Sequence, residues 1–359
     1  MSLQGFRIFG RKLKQIFQRN RQQGDTFFRT LFRTLINSIL ILWAGLINKY
    51  ILNKLSNYPR FAKFQRQHRH QLGNHFYIIV VPNKLHLLNP CLKLIPSHIR
   101  VFLIFNGIQK WEAEYIQENY PHHPAFKLST HPGSCISHGA VLTLLLKGNH
   151  KNFGIIDHDL YIFNETVFEE LDFEPNECVI GAFQIENQTA GLIFPTTHFM
   201  FFHTALIRAV MDKYRVDANI YRWIPLRIRP LLAQLNLGYH NRLKSYLLFF
   251  DTFNMIQALA FYEGFSVKFV DNVSGLWHVG GVSYIKNSAY LNYIQLKFLE
   301  MPINTEILPH YSKLFVQKES IHKALEDSFQ KEILDRKMVL MIELAIKKIG
   351  EKVQDLSQQ

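Results

Sequence analysis

Two carboxylates stand at the end of an otherwise apolar run, Phe153-Gly-Ile-Ile-Asp157-His158-Asp159-Leu-Tyr-Ile-Phe163. A strand buried on both faces is continuously apolar, so charges at its end require a compensating partner. Side chains alternate along extended backbone, which puts Asp157 and Asp159 on one side and His158 on the other. Two carboxylates that close do not both stay ionised in a dry pocket unless a cation lies beside them. A divalent metal meets that requirement. Mg²⁺ and Mn²⁺ take carboxylate oxygens and keep positions open for a substrate's phosphates, so Asp-x-Asp at a strand end suggests metal-held pyrophosphate. The triplet alone also arises by chance, as a helix cap or a turn former.

Other residues suited to chemistry are scattered along the chain. Trp277-His278-Val279-Gly280-Gly281 sets a glycine pair beside a histidine, which reads either as a ligand or as a core histidine next to a turn. Ser137-His138-Gly139 precedes an apolar stretch, and His138 is equally a first-turn helix residue with no ligand. Asp251 is an acid in an apolar setting, Phe249-Phe-Asp-Thr-Phe253, suited to a general base or to a helix N-cap. Glu186 is a second candidate base.

Strands and helices must position these groups. Phe76-Tyr-Ile-Ile-Val-Val-Pro82 is a short apolar run closed by Pro-Asn, as a central parallel strand would be. Ile99 to Gly107 repeats the form, Trp111 to Asn119 has helical composition, and Phe126 to Thr130 is a shorter strand. A helix is expected from Ser137 through Leu146, ahead of the Asp157/Asp159 strand. Strand, helix, strand in repetition indicates an α/β domain with ligands at the carboxyl ends of strands. Further on, Ala205 to Lys213 and Asn241 to Tyr262 read as helices, Arg222 to Arg229 as a loop, Phe265 to Val270 as a strand, and Ile321 to Val353 as amphipathic helix.

The 359 residues are 48% hydrophobic and 19% charged, a composition that excludes a disordered chain. Cys91, Cys135 and Cys178 are odd in number and lack a C-x-x-C pair, which argues against a disulfide framework and a thiolate zinc site and fits a reducing compartment. Residues 1–70 carry fourteen Lys/Arg and one acid, Asp25, whereas residues 71–359 carry twenty-seven of each sign, so the whole net charge of +13 is N-terminal. Residues 6–33 interleave Phe, Ile and Leu with Arg and Lys at helical spacing, as a membrane-surface helix does. The uncharged run Thr34 to Ile47 covers about two-thirds of the roughly 20 residues of a bilayer span and reads as interfacial or core-docked. Nucleic acid is the competing partner for the basic charge, but the apolar interleaving suits an anionic membrane surface better. Asn57 to Asn74, polar and containing Pro59, reads as a linker.

In order and spacing, the Val-Val-Pro strand end, the Phe-Asn-Gly strand end, Ser137-His138-Gly139, Ile-Ile-Asp-His-Asp and the late His-Val-Gly-Gly resemble glycosyltransferases of the GT-A fold, broadly of the family 2 type, over about residues 75 to 285. The resemblance implies an α/β fold with a mainly parallel sheet for a catalytic domain (71–310), which follows the basic amphipathic helices read from the charge pattern (1–70) and precedes a C-terminal helical extension (311–359). It implies that Asp157, Asp159 and His278 hold Mn²⁺ or Mg²⁺, which bridges the diphosphate of a nucleotide sugar. It also implies that Pro82, Asn83, Asn106, Gly107, Ser137, His138, Gly139 and Asp157 line that donor. Asn106 stands where many members have an acid. The expected function is metal-dependent transfer of a sugar to a carbohydrate, lipid-linked or protein acceptor, by a cytoplasmic protein peripheral to the membrane. The alternative is a catalytically silent module of the same fold that binds a glycan or a partner at the membrane surface.

Overall fold

The computed structural model describes residues 53, 55–131, 134–187, 190–221, 223–237, 250–271, 273–279, 288–311, 317–330 and 336–358. The expected helices at 6–33 and 34–47 lie outside the described residues.

The sequence's apolar runs become the strands of one seven-stranded sheet. Its members are β1 (His75–Val80), β2 (Val101–Phe105), β3 (Ala125–Lys127), β4 (Phe153–Ile156), β6 (Glu177–Gly181), β9 (Phe199–Phe202) and β10 (Ser266–Phe269). They lie in the order β10-β6-β9-β4-β1-β2-β3, and β9 alone runs against its neighbours. The α/β class with a mainly parallel sheet is as expected. Two small antiparallel pairs sit outside this sheet: β5 (Leu160–Ile162) with β11 (Leu276–His278), and the hairpin of β7 (Gln184–Asn187) and β8 (Leu192–Pro195).

Period-two alternation divides the core between the faces of the sheet. Phe76, Ile78 and Val80 of β1, with Val101, Leu103 and Phe105 of β2, belong to one apolar cluster. Helices α2 (Leu85–Leu94), α3 (Lys110–Asn119), α8 (Ser288–Leu299), α9 (Lys318–Gln330) and α10 (Arg336–Gln358) close that face. Tyr77, Phe102, Ile104 and Phe153 point to the opposite cluster, beneath α1 (Tyr58–Gln67), α4 (His138–Gly148), α5 (Thr204–Tyr214) and α7 (Asn254–Tyr262). A short helix, α6 (Arg229–Gln234), joins the same cluster through Leu232. Burial of each large side chain contributes about 1.5–3 kcal/mol, so the three-layer arrangement follows from apolar strands that need cover on both faces.

Two sequence expectations change. Residues 57–74 are not a bare linker: Phe61 and Phe64 of α1 are buried against Phe126, Phe102 and Tyr77. Pro59 falls in the first helical turn, where it lacks only an N–H that would be unpaired anyway. Helix α7 begins at Asn254 rather than near Asn241, because Asp251–Phe253 form a turn with Phe253 at φ +70°. Residues 241–249 lie outside the described residues. The C-terminal amphipathic stretch is helical over Lys318–Gln330 and Arg336–Gln358, and residues 331–335 between them lie outside the described residues.

Candidate active site

The parallel strands deliver their carboxyl ends to one edge of the sheet, and the predicted residues gather there by topology. Asp157 follows β4 directly, and its backbone N–H donates to the His198 carbonyl at 2.9 Å. That bond exists because β9 pairs antiparallel with β4, Ile156 opposite Phe199, so the residue preceding β9 arrives beside the residue following β4. The β5–β11 pair then sets His278 opposite Leu160, next to Asp159, and the Val279 N–H donates to the Asp159 carbonyl.

Four side chains converge. His198 Nδ1 lies 2.9 Å from Asp157 Oδ2. His278 Nε2 faces both carboxylates, 3.2 Å from Asp159 Oδ1 and 3.7 Å from Asp157 Oδ2. The two imidazoles stack at 3.7 Å between centroids, and Phe183 packs against both. Ligand atoms of Asp157, His198 and His278 all lie within 4.8 Å of one another. These three residues could hold a metal ion, with Asp159 adjoining through His278. Two imidazoles and carboxylates suit a first-row transition ion such as Mn²⁺ better than Mg²⁺, which favours oxygen ligands alone.

Electrostatics match the geometry. Burial pushes the Asp157 carboxyl up, but the His198 hydrogen bond and the charges of His138 and His198 outweigh it and hold the group below the usual carboxylate range. Asp159 is likewise pulled below that range against its burial, by the His278 hydrogen bond and by His158. Burial lowers His278, yet Asp159 and Asp157 raise it net above the ordinary imidazole value.

The predicted donor-lining residues are distributed around this cluster in unequal ways. Asn83, at φ +60°, donates its backbone N–H to Glu112 Oε1 at 2.6 Å, and Gln109 N–H donates to Glu112 Oε2 at 2.8 Å. The fully buried Glu112 thereby ties the loop after β1, which contains Pro82, to the loop after β2. Asn106 is buried and its amide is engaged at both ends with Ile136, donating to the carbonyl and accepting from the N–H at 2.8 Å each. Gly107, at φ +75°, lets the Ser134 carbonyl approach to a distance that a Cβ would prevent. Ser137 caps α4, accepting from the Ala140 N–H, and its hydroxyl also meets the Asn219 side chain. Gly139 is approached by the chain itself, since a Cβ there would stand 2.5 Å from the Ala218 carbonyl. His138, held below the ordinary imidazole value by burial, feels the charges of both Asp157 and Asp251. Asp251 accepts the Thr252 N–H at 2.7 Å at the start of α7. Glu186 lies exposed on the β7–β8 hairpin and does not contact the cluster.

His198 was absent from the sequence reading. Its signal was positional: a histidine immediately before the apolar run Phe199–Phe202, the mirror of an aspartate immediately after Phe153–Ile156.

Residues 52–207 match the model of the StrH glycosyltransferase N-terminal domain, a segment that includes Asp157, Asp159 and His198. No curated protein matches the chain. Among solved structures the chain is similar to the mannosyltransferase PcManGT from Pyrobaculum calidifontis in complex with GDP-Man and Mn²⁺, at 9% identity over 88% of this chain and 98% of that one, with a TM-score of 0.38. It is similar to apo glycosyltransferase GlyE from Streptococcus pneumoniae TIGR4, at 11% identity over 55% of this chain and 45% of that one, TM-score 0.33. A third is the galactosyltransferase LgtC in complex with donor and acceptor sugar analogues, at 12% identity over 54% and 73%, TM-score 0.35. The chain thus spans less than half of GlyE. The family match bears out the resemblance to glycosyltransferases, and the structural likenesses are too distant to bear on chemistry.

Proposed function

We propose that this protein, whose fold is a glycosyltransferase fold over residues 52–207, is a metal-dependent glycosyltransferase that moves a sugar from a nucleotide-sugar donor to a carbohydrate, lipid-linked or protein acceptor. The observation that carries the reading is the convergence of Asp157, Asp159, His198 and His278 at the carboxyl edge of the sheet, from elements far apart in sequence. Evolution of a fold seldom assembles two imidazoles and two carboxylates in one half-buried place for stability alone, because each costs desolvation.

In this reading Asp157, His198 and His278 hold Mn²⁺, with Asp159 beside them. An ion held there would supply charge neutralisation for the departing nucleoside diphosphate. The chain's own groups do the rest. Asp159 fixes the His278 ring, and Phe183 shields the stacked imidazoles from water on one side. Pro82, Asn83, Gly107 and the Ser137–Gly139 segment wall the donor pocket, with the Glu112 and Asn106 clamps holding the loops that carry them. Asp251 is the better candidate than Glu186 for accepting the proton of the acceptor hydroxyl, since its charge acts on His138 within the site whereas Glu186 is on an exposed hairpin. The basic segment 1–70 anchors the catalytic domain, 71–310, on the cytoplasmic face of an anionic membrane, with 311–359 as a helical extension. No helix among the described residues is long and apolar enough to cross a membrane.

The test is donor hydrolysis by the full chain over a panel of nucleotide sugars, with Mn²⁺ or with EDTA. Turnover of one donor only with Mn²⁺ is expected, and Asp251→Asn should slow transfer while leaving Mn²⁺-dependent donor binding intact. Metal-dependent binding without turnover of any donor would favour the silent binding module, and neither binding nor turnover would overturn the reading.

A further inference from the structure

The segment from Arg215 to Arg229 carries a surface that the chemistry above does not use. Ile220, Trp223 and Leu226 are 43%, 47% and 75% exposed within seven residues, whereas their neighbours Ala218, Ile224 and Ile228 are buried. The exposure is therefore built in. Inward side chains fix the segment, the Tyr221–Phe250 bridge ties it down with bonds of 3.0 and 3.1 Å, and the Asp217 N–H donates to the Tyr221 hydroxyl. Residues 215–229 contain four arginines and one acid, Asp217. Arg215 and Arg227 are exposed and make no ion pair among the described residues; Arg227 donates only to the Tyr214 and Arg215 carbonyls.

This surface adjoins the site and residues of the basic stretch 1–70. Ala218 and Asn219 pack on Gly139 and bond Thr143 and Ser137 of the His138 region, and the Phe253 N–H, two residues beyond Asp251, donates to the Ala218 carbonyl. On the same corner Asn53 Nδ2 donates to the Ala140 carbonyl, and Tyr58 feels the Asp217 charge. Asn53 and Tyr58, which belong to the basic stretch 1–70, thus stand beside the arginine and tryptophan segment. Cationic residues around exposed aromatic and aliphatic side chains are the combination that inserts into an anionic interface.

We infer that residues 215–229 are a membrane-docking surface that sets the mouth of the site against an anionic bilayer. If the glycosyltransferase reading holds, the acceptor is then lipid-linked; the docking itself does not depend on that reading and is measured without any sugar. The experiment uses the full chain and vesicles of phosphatidylcholine with or without phosphatidylglycerol, plain or brominated in the acyl chains. Trp223 is one of four tryptophans, so its emission is obtained as the difference between the native protein and Trp223→Phe. That component should be quenched by brominated anionic vesicles, and Trp223→Ser/Leu226→Ser should weaken vesicle partitioning about tenfold with an unchanged unfolding temperature. An unquenched Trp223, unaltered partitioning of the double variant, or equal binding to purely zwitterionic vesicles would overturn the proposal. A lowered unfolding temperature of the double variant together with an unquenched Trp223 would assign the patch to cover by residues 1–52 instead.

Discussion

Asp157 Oδ2 has an imidazole nitrogen 2.9 Å away on His198 and another 3.7 Å away on His278, so it is the atom on which the cluster turns. Removal of His198 takes away a donor and the hydrogen bond that orients Asp157. His198→Ala should lower Mn²⁺ affinity by at least about tenfold, as read by Mn²⁺ titration with electron paramagnetic resonance; unchanged affinity would return His198 to a structural role. Protons compete with the metal, and the sign follows from the directions of the shifts. In the metal-free protein Asp159, with a depressed pKa, stabilises above the ordinary carboxylate range and loses that contribution as pH falls through its own value. His278, with a raised pKa, stabilises below about pH 6.5 and loses that contribution as pH rises through its own value. Mn²⁺ requires the imidazoles deprotonated, so stabilisation by Mn²⁺ relative to EDTA should grow from about pH 6 to about pH 8. Thermal unfolding across that range checks it, and a flat difference would contradict imidazole ligation. Asp157, Asp159 and His278 were legible in the sequence because they interrupt or follow apolar runs. His198 was not, because site residues were sought after strands, and an antiparallel strand contributes the residue before it.

At the scale of elements, the loops around the site are held by buried polar clamps rather than by regular structure. Glu112 in the first turn of α3 accepts two backbone N–H groups from two different loops. Glu112→Ala strands both donors and should cost about 2–4 kcal/mol of stability, read by chemical denaturation, with Glu112→Gln costing less because it retains an acceptor. A loss below about 0.5 kcal/mol for the alanine variant would show the clamp to be idle. The strands were readable because runs such as Phe76–Val80 are apolar and β-branched or aromatic throughout. Helix α2 was not, because Asn89 and Pro90 interrupt its pattern, although Asn89 is buried and bonded to Tyr115 and Asn304. Helix α1 was hidden by its polar face, with Phe61 and Phe64 alone to mark the side that packs. The clamp partners of Asn106, thirty positions away in Ile136, could not be read from spacing at all.

For the whole molecule, residues 71–359 carry no net charge and residues 1–70 carry all of it, and within that basic stretch Asn53 bonds to the Ala140 carbonyl of helix α4. The charge asymmetry was plain in the sequence, but the neighbourhood of Asn53, Ala218 and His138 is a product of the fold. The central claim is that the Asp157, Asp159, His198 and His278 cluster binds a nucleotide sugar through a divalent metal. Its most direct test is the unfolding temperature of the full chain against a panel of nucleotide sugars, each with Mn²⁺ and with EDTA. A ligand at 100 times its dissociation constant stabilises by about 2.7 kcal/mol, a shift that such a scan resolves. The account predicts that one nucleotide sugar raises the unfolding temperature only when Mn²⁺ is present and loses that effect in Asp159→Asn; the same shift in EDTA, or no shift with any donor, would contradict it.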